Sequence, residues 1–162
     1  ARVRPSTRLN YMKKTDAKEE IPGKSRQAVE NIYEYCRKNN AKLVLISTPS
    51  TAYWNYKRHN SVAELAESLG VEYVDMNLIN DQVGIEWSTD TRDRGMHMNI
   101  YGARKCSAFL GAYLAKTEQF QDKRKDASYA DWFDALEAFN ESTDNALDRP
   151  SPEPEDDTKK AN

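Results

Sequence analysis

The chain has 162 residues, which is enough for one domain with a hydrophobic core and too few for two. Hydrophobic residues make up 38% of it and charged residues 31%, so its apolar share lies below that of typical globular domains. The net charge of −2 gives no electrostatic case for nucleic-acid binding. No apolar run approaches the roughly 18 residues of a membrane-spanning helix, so the sequence predicts no membrane segment.

The first predicted element is a helix that follows an irregular lead-in over residues 1–24. The lead-in lacks periodicity and ends in the turn signal Ile-Pro-Gly. Ser25 is a suitable N-cap, and the helix is predicted to end near Asn39. Its apolar residues recur at helical spacing, at Val29, Ile32, Tyr33 and Cys36.

Two strands and a crossover helix are predicted next. Residues 42–47 contain the run Leu43–Ile46, which is apolar at successive positions and therefore typical of a strand buried on both faces of a parallel sheet. After a loop, a helix is predicted to end at Leu69, with Gly70 as its left-handed terminator. Residues 71–76 form the second predicted strand.

The C-terminal half is predicted to contain one long loop and two helices. The loop covers residues 77–99, and a helix follows from Tyr101 to about Lys116. The last helix carries an apolar stripe that we expect to be part of the core, formed by Tyr129, Trp132, Phe133, Leu136 and Phe139. Residues 141–162 hold seven acids, three bases and three prolines, so they are predicted to be a disordered acidic tail.

This order of elements predicts an α/β fold, a three-layer doubly wound parallel sheet of the flavodoxin-like kind. Only two strands are convincing, and two strands cannot shield a run such as Leu43–Ile46. A third strand could come from the first dozen residues or from residues 84–87. We expect instead that the sheet is incomplete at its N-terminal side and is completed by strands outside this chain.

The stretch DTRDRGMHMNIYGARK, residues 90–105, contains the main candidate site. Ligands of open parallel sheets bind beyond the carboxyl ends of the strands, where this loop is predicted to lie. An Asp a few residues before His97 could fix the imidazole tautomer and stabilise the imidazolium, as a hydrolase requires. The alternative is an ordinary surface histidine in a polar loop.

Three segments resemble SGNH/GDSL-type serine hydrolases. The segment DRGMHMNIYGARKCSAFLGAYL is similar to the last motif block of that superfamily, and KLVLISTPSTAYWNY resembles the central strand and following loop of a bacterial branch. The later FQDKRKDASYADWFDALEAF resembles the helical extension of the same branch. Together they cover roughly residues 25–140, the part of the chain that we expect to form the SGNH-like domain. The resemblance implies that His97 is the general base and Asp93 its orienting acid.

The chain departs from the superfamily pattern at two points. The commonest spacing is Asp-x-x-His, but Arg94 stands three residues before His97, with Asp93 four and Asp90 seven before it. Asp93 is the favoured acid, because Gly95 gives the loop freedom to accommodate the extra residue. The sequence also lacks the Gly-Asp-Ser block that supplies the nucleophile. We therefore expect the serine to come from upstream of this chain, which alone is expected to be inactive.

The loop after the first strand supplies further candidates. Ser47, Thr48 and Ser50 cluster at the strand end, where a serine could be a nucleophile or part of a polar lining. Ser50 is assigned to substrate binding, and Trp54 could form a wall for a sugar or acyl group or be a structural aromatic. Asn99 is assigned to the same site, where it could hold the His97 loop or serve as an ordinary helix-entry residue.

Metal and cofactor chemistry find no support in the sequence. His59 has no acid near it in the sequence, which favours capping or plain exposure. The two histidines show no metal-binding spacing with cysteines or with each other, so no metal site is predicted. The resemblance implies no organic cofactor.

The intact protein is therefore expected to be an ester hydrolase or O-acyl transferase. Its substrate would be a small ester or an acylated glycan, with glycan deacetylation as one such reaction. The resemblance suggests a bacterial cell-envelope or extracellular location. The alternative is a non-catalytic relative that uses the same cleft to bind a glycan or a protein partner.

Overall fold

The structure, a computed structural model, describes residues 2–118 and 120–147, with side chains described as far as Thr143. Helices and strands alternate through its first half, and helices dominate the second. The elements are α1 (Gly23–Lys38), β1 (Val44–Ser47), α2 (Tyr56–Leu69), β2 (Glu72–Asp75), α3 (Asn80–Val83), α4 (Ile100–Thr117) and α5 (Ala130–Leu147).

The two strands pair in parallel, joined by the crossover helix α2. Val44 lies opposite Glu72 in the register, and Ser47 lies opposite Asp75. The predicted mixed α/β character and the parallel pairing are confirmed. Because Ser47 and Asp75 are the last residues of two parallel strands, the loops that follow them both leave from the carboxyl end of the sheet.

Helix α2 ends where its sequence signal predicts, whereas α1 and α3 differ from prediction. Gly70 ends α2 in the left-handed region, at φ 66°, as predicted. Helix α1, however, begins at Gly23, with Pro22 as its N-cap and no side-chain cap. The Ser25 N–H donates to the Pro22 carbonyl at 2.8 Å, so the predicted N-cap lies within the first turn instead. The short helix α3, within the loop over residues 77–99, was not predicted.

The main apolar cluster lies between the segment after β2 and helix α4. Met76, Val83 and Ile85 are buried at its centre. The partly buried residues packed against them are Ile79, Trp87, Met98, Cys106, Phe109 and Leu110. This packing fixes the stretch around His97 at two points, because Trp87 lies ten residues before His97 and Met98 directly follows it.

Strand β1 is less buried than predicted. Leu45 is half-buried and Ile46 is 38% exposed, so the prediction of burial on both faces is wrong for this part of the chain. Among the described residues β1 has a neighbour on one edge only, and α1 has no buried residue. Leu45 and Ile46 are partly exposed because, in this described part of the chain, no second strand pairs with the other edge of β1 and α1 buries no side chain against it.

Neither predicted third strand joins the sheet within the described part of the chain. Residues 84–87 are not in a strand. The N-terminal segment instead runs beside the long loop, where the Arg4 N–H donates to the Thr91 carbonyl and the Ser6 N–H to the Trp87 carbonyl, both at 2.9 Å. Its backbone hydrogen bonds thus support the loop rather than the sheet.

Helix α5 differs from prediction in length and burial. It extends to Leu147, past the predicted boundary at residue 140, while residues 148–162 of the predicted tail lie outside the described residues. Its apolar stripe was expected in the core, but Trp132 is 74% exposed and Phe139 52%. The main contact of α5 with another element is with the 3-10 turn Ala127–Tyr129 that leads directly into it, so the stripe is left uncovered. Every helix in the described ranges is too short or too polar to cross a bilayer.

Candidate active site

Asp93 and His97 form a two-point contact within the loop. The ring Nδ1 of His97 lies 2.5 Å from Asp93 Oδ2, and the backbone N–H of His97 donates to Asp93 Oδ1 at 2.7 Å. Since an ionised carboxylate only accepts hydrogen bonds, it holds the proton on Nδ1. This tautomer leaves Nε2 able to accept a proton, and the His97 side chain is 56% exposed.

The electrostatics favour a charged Asp93. Burial raises the pKa of its carboxyl, but hydrogen bonds from the His97 ring and backbone outweigh burial and leave the pKa below its ordinary value. The charges of His97 and Arg92 act in the same direction, with Arg92 Nε 3.7 Å from Asp93 Oδ2. A carboxylate that stays ionised can stabilise the imidazolium formed when Nε2 takes a proton.

The backbone of the loop reverses between Asp93 and His97. Arg94 and Gly95 both have positive φ, at 64° and 91°. A Cβ at Gly95 would overlap the Thr51 hydroxyl and lie 2.8 Å from Ser6 Oγ. Glycine is therefore required there both for its conformation and for the close approach of neighbouring side chains.

Thr91 anchors the base of this reversal. Its side chain is completely buried, and its hydroxyl accepts the Gly95 N–H at 2.7 Å and donates to the Arg4 carbonyl at 3.0 Å. An isolated antiparallel bridge joins Thr91 to Met98. The loop is thus closed on itself and tied to the N-terminal segment.

Ser50 lies beneath the loop and not on an open lining. It is 9% exposed, and its hydroxyl donates to the Gly95 carbonyl at 2.9 Å and to the Met96 carbonyl at 3.2 Å. Ser47 is equally buried, and its hydroxyl is 2.9 Å from the Tyr73 hydroxyl. Both serine hydroxyls are thus engaged with partners other than the His97 ring, so neither serine is placed as its nucleophile.

Asp90, the alternative acid, belongs to a different contact. Its side chain is 2% exposed, and its Oδ2 accepts Lys105 Nζ at 2.7 Å and the Glu86 N–H at 2.8 Å. The pKa of Lys105 is raised, first by this hydrogen bond. Of the two candidate acids, the structure brings only Asp93 against His97.

Asn99 combines the two structural roles that the sequence allowed. Its side-chain oxygen accepts the Tyr101 and Gly102 N–H groups at the start of α4, at 3.0 and 3.3 Å. Its amide donates to the Thr89 carbonyl at 2.6 Å. The residue is 6% exposed, so it caps the helix and holds the loop rather than facing a substrate.

A second histidine–carboxylate contact lies at the end of β2. Asp75 Oδ2 accepts His59 Nδ1 and Trp54 Nε1, both at 2.9 Å, and the Tyr73 hydroxyl at 3.1 Å. The His59 ring also stacks on Tyr73, with centroids 5.6 Å apart. The prediction that His59 is a helix cap or plainly exposed is wrong, because α2 packs against β2 and brings the histidine against Asp75.

The hydrogen bond to Asp75 gives Trp54 a structural role. Its indole is half-buried and held by Asp75, which makes it part of the scaffold at the strand ends. The sequence reasoning missed Asp75, although its position near the carboxyl end of the predicted strand over residues 71–76 was a usable signal.

The described residues contain no cluster of three or more His, Cys, Asp or Glu side chains that could hold a metal ion. Comparisons with protein-family models, curated proteins and solved structures found no match to this chain.

Proposed function

We propose that this chain carries the acid–base half of a Ser–His–Asp site in an ester hydrolase or O-acyl transferase. The observation that supports this most directly is the Asp93–His97 contact, with Nδ1 on the carboxylate and Nε2 left to accept a proton. The motif resemblance to SGNH-type hydrolases assigns the same two residues.

In the proposed reaction, His97 Nε2 removes the proton of a serine hydroxyl as its oxygen attacks the acyl carbonyl. The tetrahedral intermediate collapses to an acyl-serine when the imidazolium returns that proton to the departing alcohol. Water or a sugar hydroxyl then attacks the acyl-serine, again with Nε2 as the base. The bond between the serine oxygen and the acyl group breaks, and the imidazolium returns its proton to that oxygen, which completes hydrolysis or acyl transfer. Asp93 keeps the tautomer and stabilises the charge throughout.

The serine and an oxyanion donor are proposed to come from upstream strands of the intact protein. Two observations support this. Ser47 and Ser50 are buried and hydrogen-bonded away from His97. β1 has a free edge in the described part of the chain, and Ile46 beside that edge is exposed. Added parallel strands and covering helices would complete the three-layer doubly wound sheet.

The substrate class is proposed from the resemblance: a small ester or an acylated glycan, with deacetylation as one such reaction, in a bacterial envelope or extracellular setting. The partly apolar surroundings of His97 are compatible with an acyl group. The Tyr53 ring lies edge-on to the imidazole, with centroids 6.2 Å apart, and its hydroxyl contacts the Met96 sulfur at 3.2 Å.

The test uses the protein as its native host makes it. A fluorophosphonate probe, which modifies activated serines, should label that protein, and peptide mapping should place the label outside these 162 residues. His97→Ala should lower ester turnover by about 10³-fold or more with unchanged unfolding. Asp16→Asn, at an exposed position in the N-terminal segment, serves as the control.

Unchanged turnover in His97→Ala would overturn the proposal. A native protein that resists the probe but binds an acetylated glycan equally well with and without His97 would establish the non-catalytic binding alternative.

A further inference from the structure

We infer that Ser50 is a positioning residue for the Asp93–His97 pair, and that Asn77 holds Ser50 in place. The inference rests on the proposed function, because positioning matters for catalysis only if His97 is the base. Its structural content, a link between the end of β2 and the His97 loop, can be measured separately.

The link reaches the loop through its carbonyl groups. The Ser50 hydroxyl shares its hydrogen between the Gly95 and Met96 carbonyls, at 2.9 and 3.2 Å. These carbonyls belong to the two peptide groups that lead into His97. The Ala52 N–H gives the Gly95 carbonyl a second, longer bond of 3.3 Å. Removing the hydroxyl would therefore loosen the peptide immediately before His97 most.

Ser50 is itself held at two points. Its backbone N–H donates to Asn77 Oδ1 at 2.9 Å, and its Oγ accepts the Tyr53 N–H at 3.2 Å. These two bonds fix both the backbone and the rotamer of Ser50. Its hydroxyl hydrogen therefore points at the loop carbonyls, away from a role as a nucleophile.

Asn77 connects this arrangement to the sheet. It is 6% exposed, and its amide donates to Asp75 Oδ1 at 2.8 Å and to the Thr48 carbonyl at 3.1 Å. Both N–H bonds of the Asn77 side chain face acceptors, so a flipped amide would lose these hydrogen bonds. The observed orientation leaves Oδ1 to accept the Ser50 N–H. A path of hydrogen bonds thus runs from Asp75 through Asn77 and Ser50 to the loop.

The chain suits a direct test because it contains only two histidines. Imidazole ¹⁵N and ¹³C spectra of the 162-residue chain would show two sets of signals, and His97→Gln would identify one of them. The nitrogen shifts of His97 report which atom carries the proton. The carboxyl ¹³C titration of Asp93 reports its pKa, which the contact with His97 lowers.

The test variant is Ser50→Ala and the matched control is Ser61→Ala. Ser61 is also buried, at 5% exposure, and its hydroxyl also donates to two carbonyls, those of Glu19 and Lys57. Ser50→Ala should raise the pKa of Asp93 toward its ordinary value and mix the His97 tautomers. Ser61→Ala should change neither signal. Ser50→Thr, which keeps the hydroxyl, should restore both.

A folded Ser50→Ala variant with unchanged Asp93 titration and an unchanged His97 tautomer would overturn the inference. Should Ser50→Ala unfold, Ser50→Cys replaces it, because a thiol of similar size is a weak donor. The same shifts would then be expected, and their absence would be equally decisive.

Turnover of the intact protein separates this inference from the proposed function. Ser50→Ala should lower kcat by about 10- to 100-fold with little change in KM, since loop misalignment acts on the chemical step. Shifts in the spectra together with full turnover in His97→Ala would retain the positioning link and reject catalysis. Loss of turnover in His97→Ala, without any effect of Ser50→Ala on turnover or spectra, would support catalysis by His97 and reject the positioning role of Ser50.

Discussion

His59 Nδ1 lies 2.9 Å from Asp75 Oδ2, a contact between residues sixteen positions apart that joins helix α2 to the end of strand β2. The Asp75 side chain is 2% exposed, and its other oxygen accepts the backbone N–H and the side-chain amide of Asn77. A buried carboxylate that receives this many donors organises the residues around it, because each donor would otherwise be unsatisfied.

Asp75→Asn should therefore destabilise the protein strongly. Both oxygens of Asp75 accept hydrogen bonds, and the asparagine side chain replaces one of them with an NH₂ group, which would face donors instead of accepting from them. We therefore expect a loss of about 2–4 kcal/mol in the free energy of unfolding. Urea denaturation followed by circular dichroism measures this. Asp16→Asn, at an exposed position, should cost less than about 0.5 kcal/mol. Equal effects of the two changes would contradict the assignment.

Substitutions at Asp90 and Asp93 should have different effects, because Asp90 supports the fold and Asp93 holds the His97 ring. Asp93→Asn should abolish the single His97 tautomer, while lowering stability by about 1 kcal/mol or less because the His97 partner is largely exposed. Asp90→Asn removes the charge that pairs with Lys105 in a buried setting and should cost about 1–3 kcal/mol. In the Asp90→Asn variant, the tautomer of His97 should stay the same. Imidazole ¹⁵N spectra and urea unfolding on both variants decide the matter.

The contrast between the two histidines shows which contacts the sequence can predict. Asp93 and His97 are four residues apart on one loop, so local spacing and the glycine between them already suggest their contact. Asp75 and His59 meet only after β1, α2 and β2 have packed, and no local pattern encodes that meeting. The buried position of Ser50 was missed for the same reason, since its partners lie on a loop 45 residues away.

Burial was predicted less well than element type. Helix and strand periods depend on neighbouring residues, and they located α2 and its terminator Gly70 correctly. The exposure of Ile46 and Trp132 depends on what covers β1 and α5, which the periodicity of those segments does not specify. An apolar stripe predicts that a face can be buried, and only tertiary packing decides whether it is.

Gly95→Ala should displace the His97 loop. The new Cβ would overlap the Thr51 hydroxyl, and the residue would also have to adopt φ near 91°. We expect a loss of about 2–4 kcal/mol in stability, the sum of backbone strain and overpacking. Gly84→Ala is the matched control, because Gly84 has a φ of 76° with open space around it. It should show only the strain, about 1–2 kcal/mol.

A Gly95→Ala cost equal to that of Gly84→Ala would show that the loop moves freely away from Thr51. In that case the anchoring of the His97 loop to the strand-end loop would be weaker than its contacts imply.

Two substitutions at Asn99 should separate its capping role from its loop contact. Asn99→Ser keeps an oxygen that can cap α4 but loses the amide donor to the Thr89 carbonyl. Asn99→Ala loses both. We expect the alanine variant to lose about 2–3 kcal/mol and the serine variant about half of that, with helix content preserved in the latter. Thermal unfolding by circular dichroism measures both, and identical losses would show that only one of the two contacts matters.

The stability contributed by Asp93 should depend on pH with a defined sign. Its folded-state pKa lies below the ordinary value of about 3.9, so folding favours the ionised form. That contribution is fully present above the ordinary pKa and is lost as the pH falls through the folded-state pKa. The difference in unfolding free energy between the wild type and Asp93→Asn should therefore shrink between about pH 5 and pH 2. Its size should stay below about 1 kcal/mol, because His97 is more than half exposed to screening solvent. Other acidic groups titrate in both proteins and largely cancel in the difference. A difference that stays constant or grows toward low pH would mean that Asp93 is not held ionised by His97.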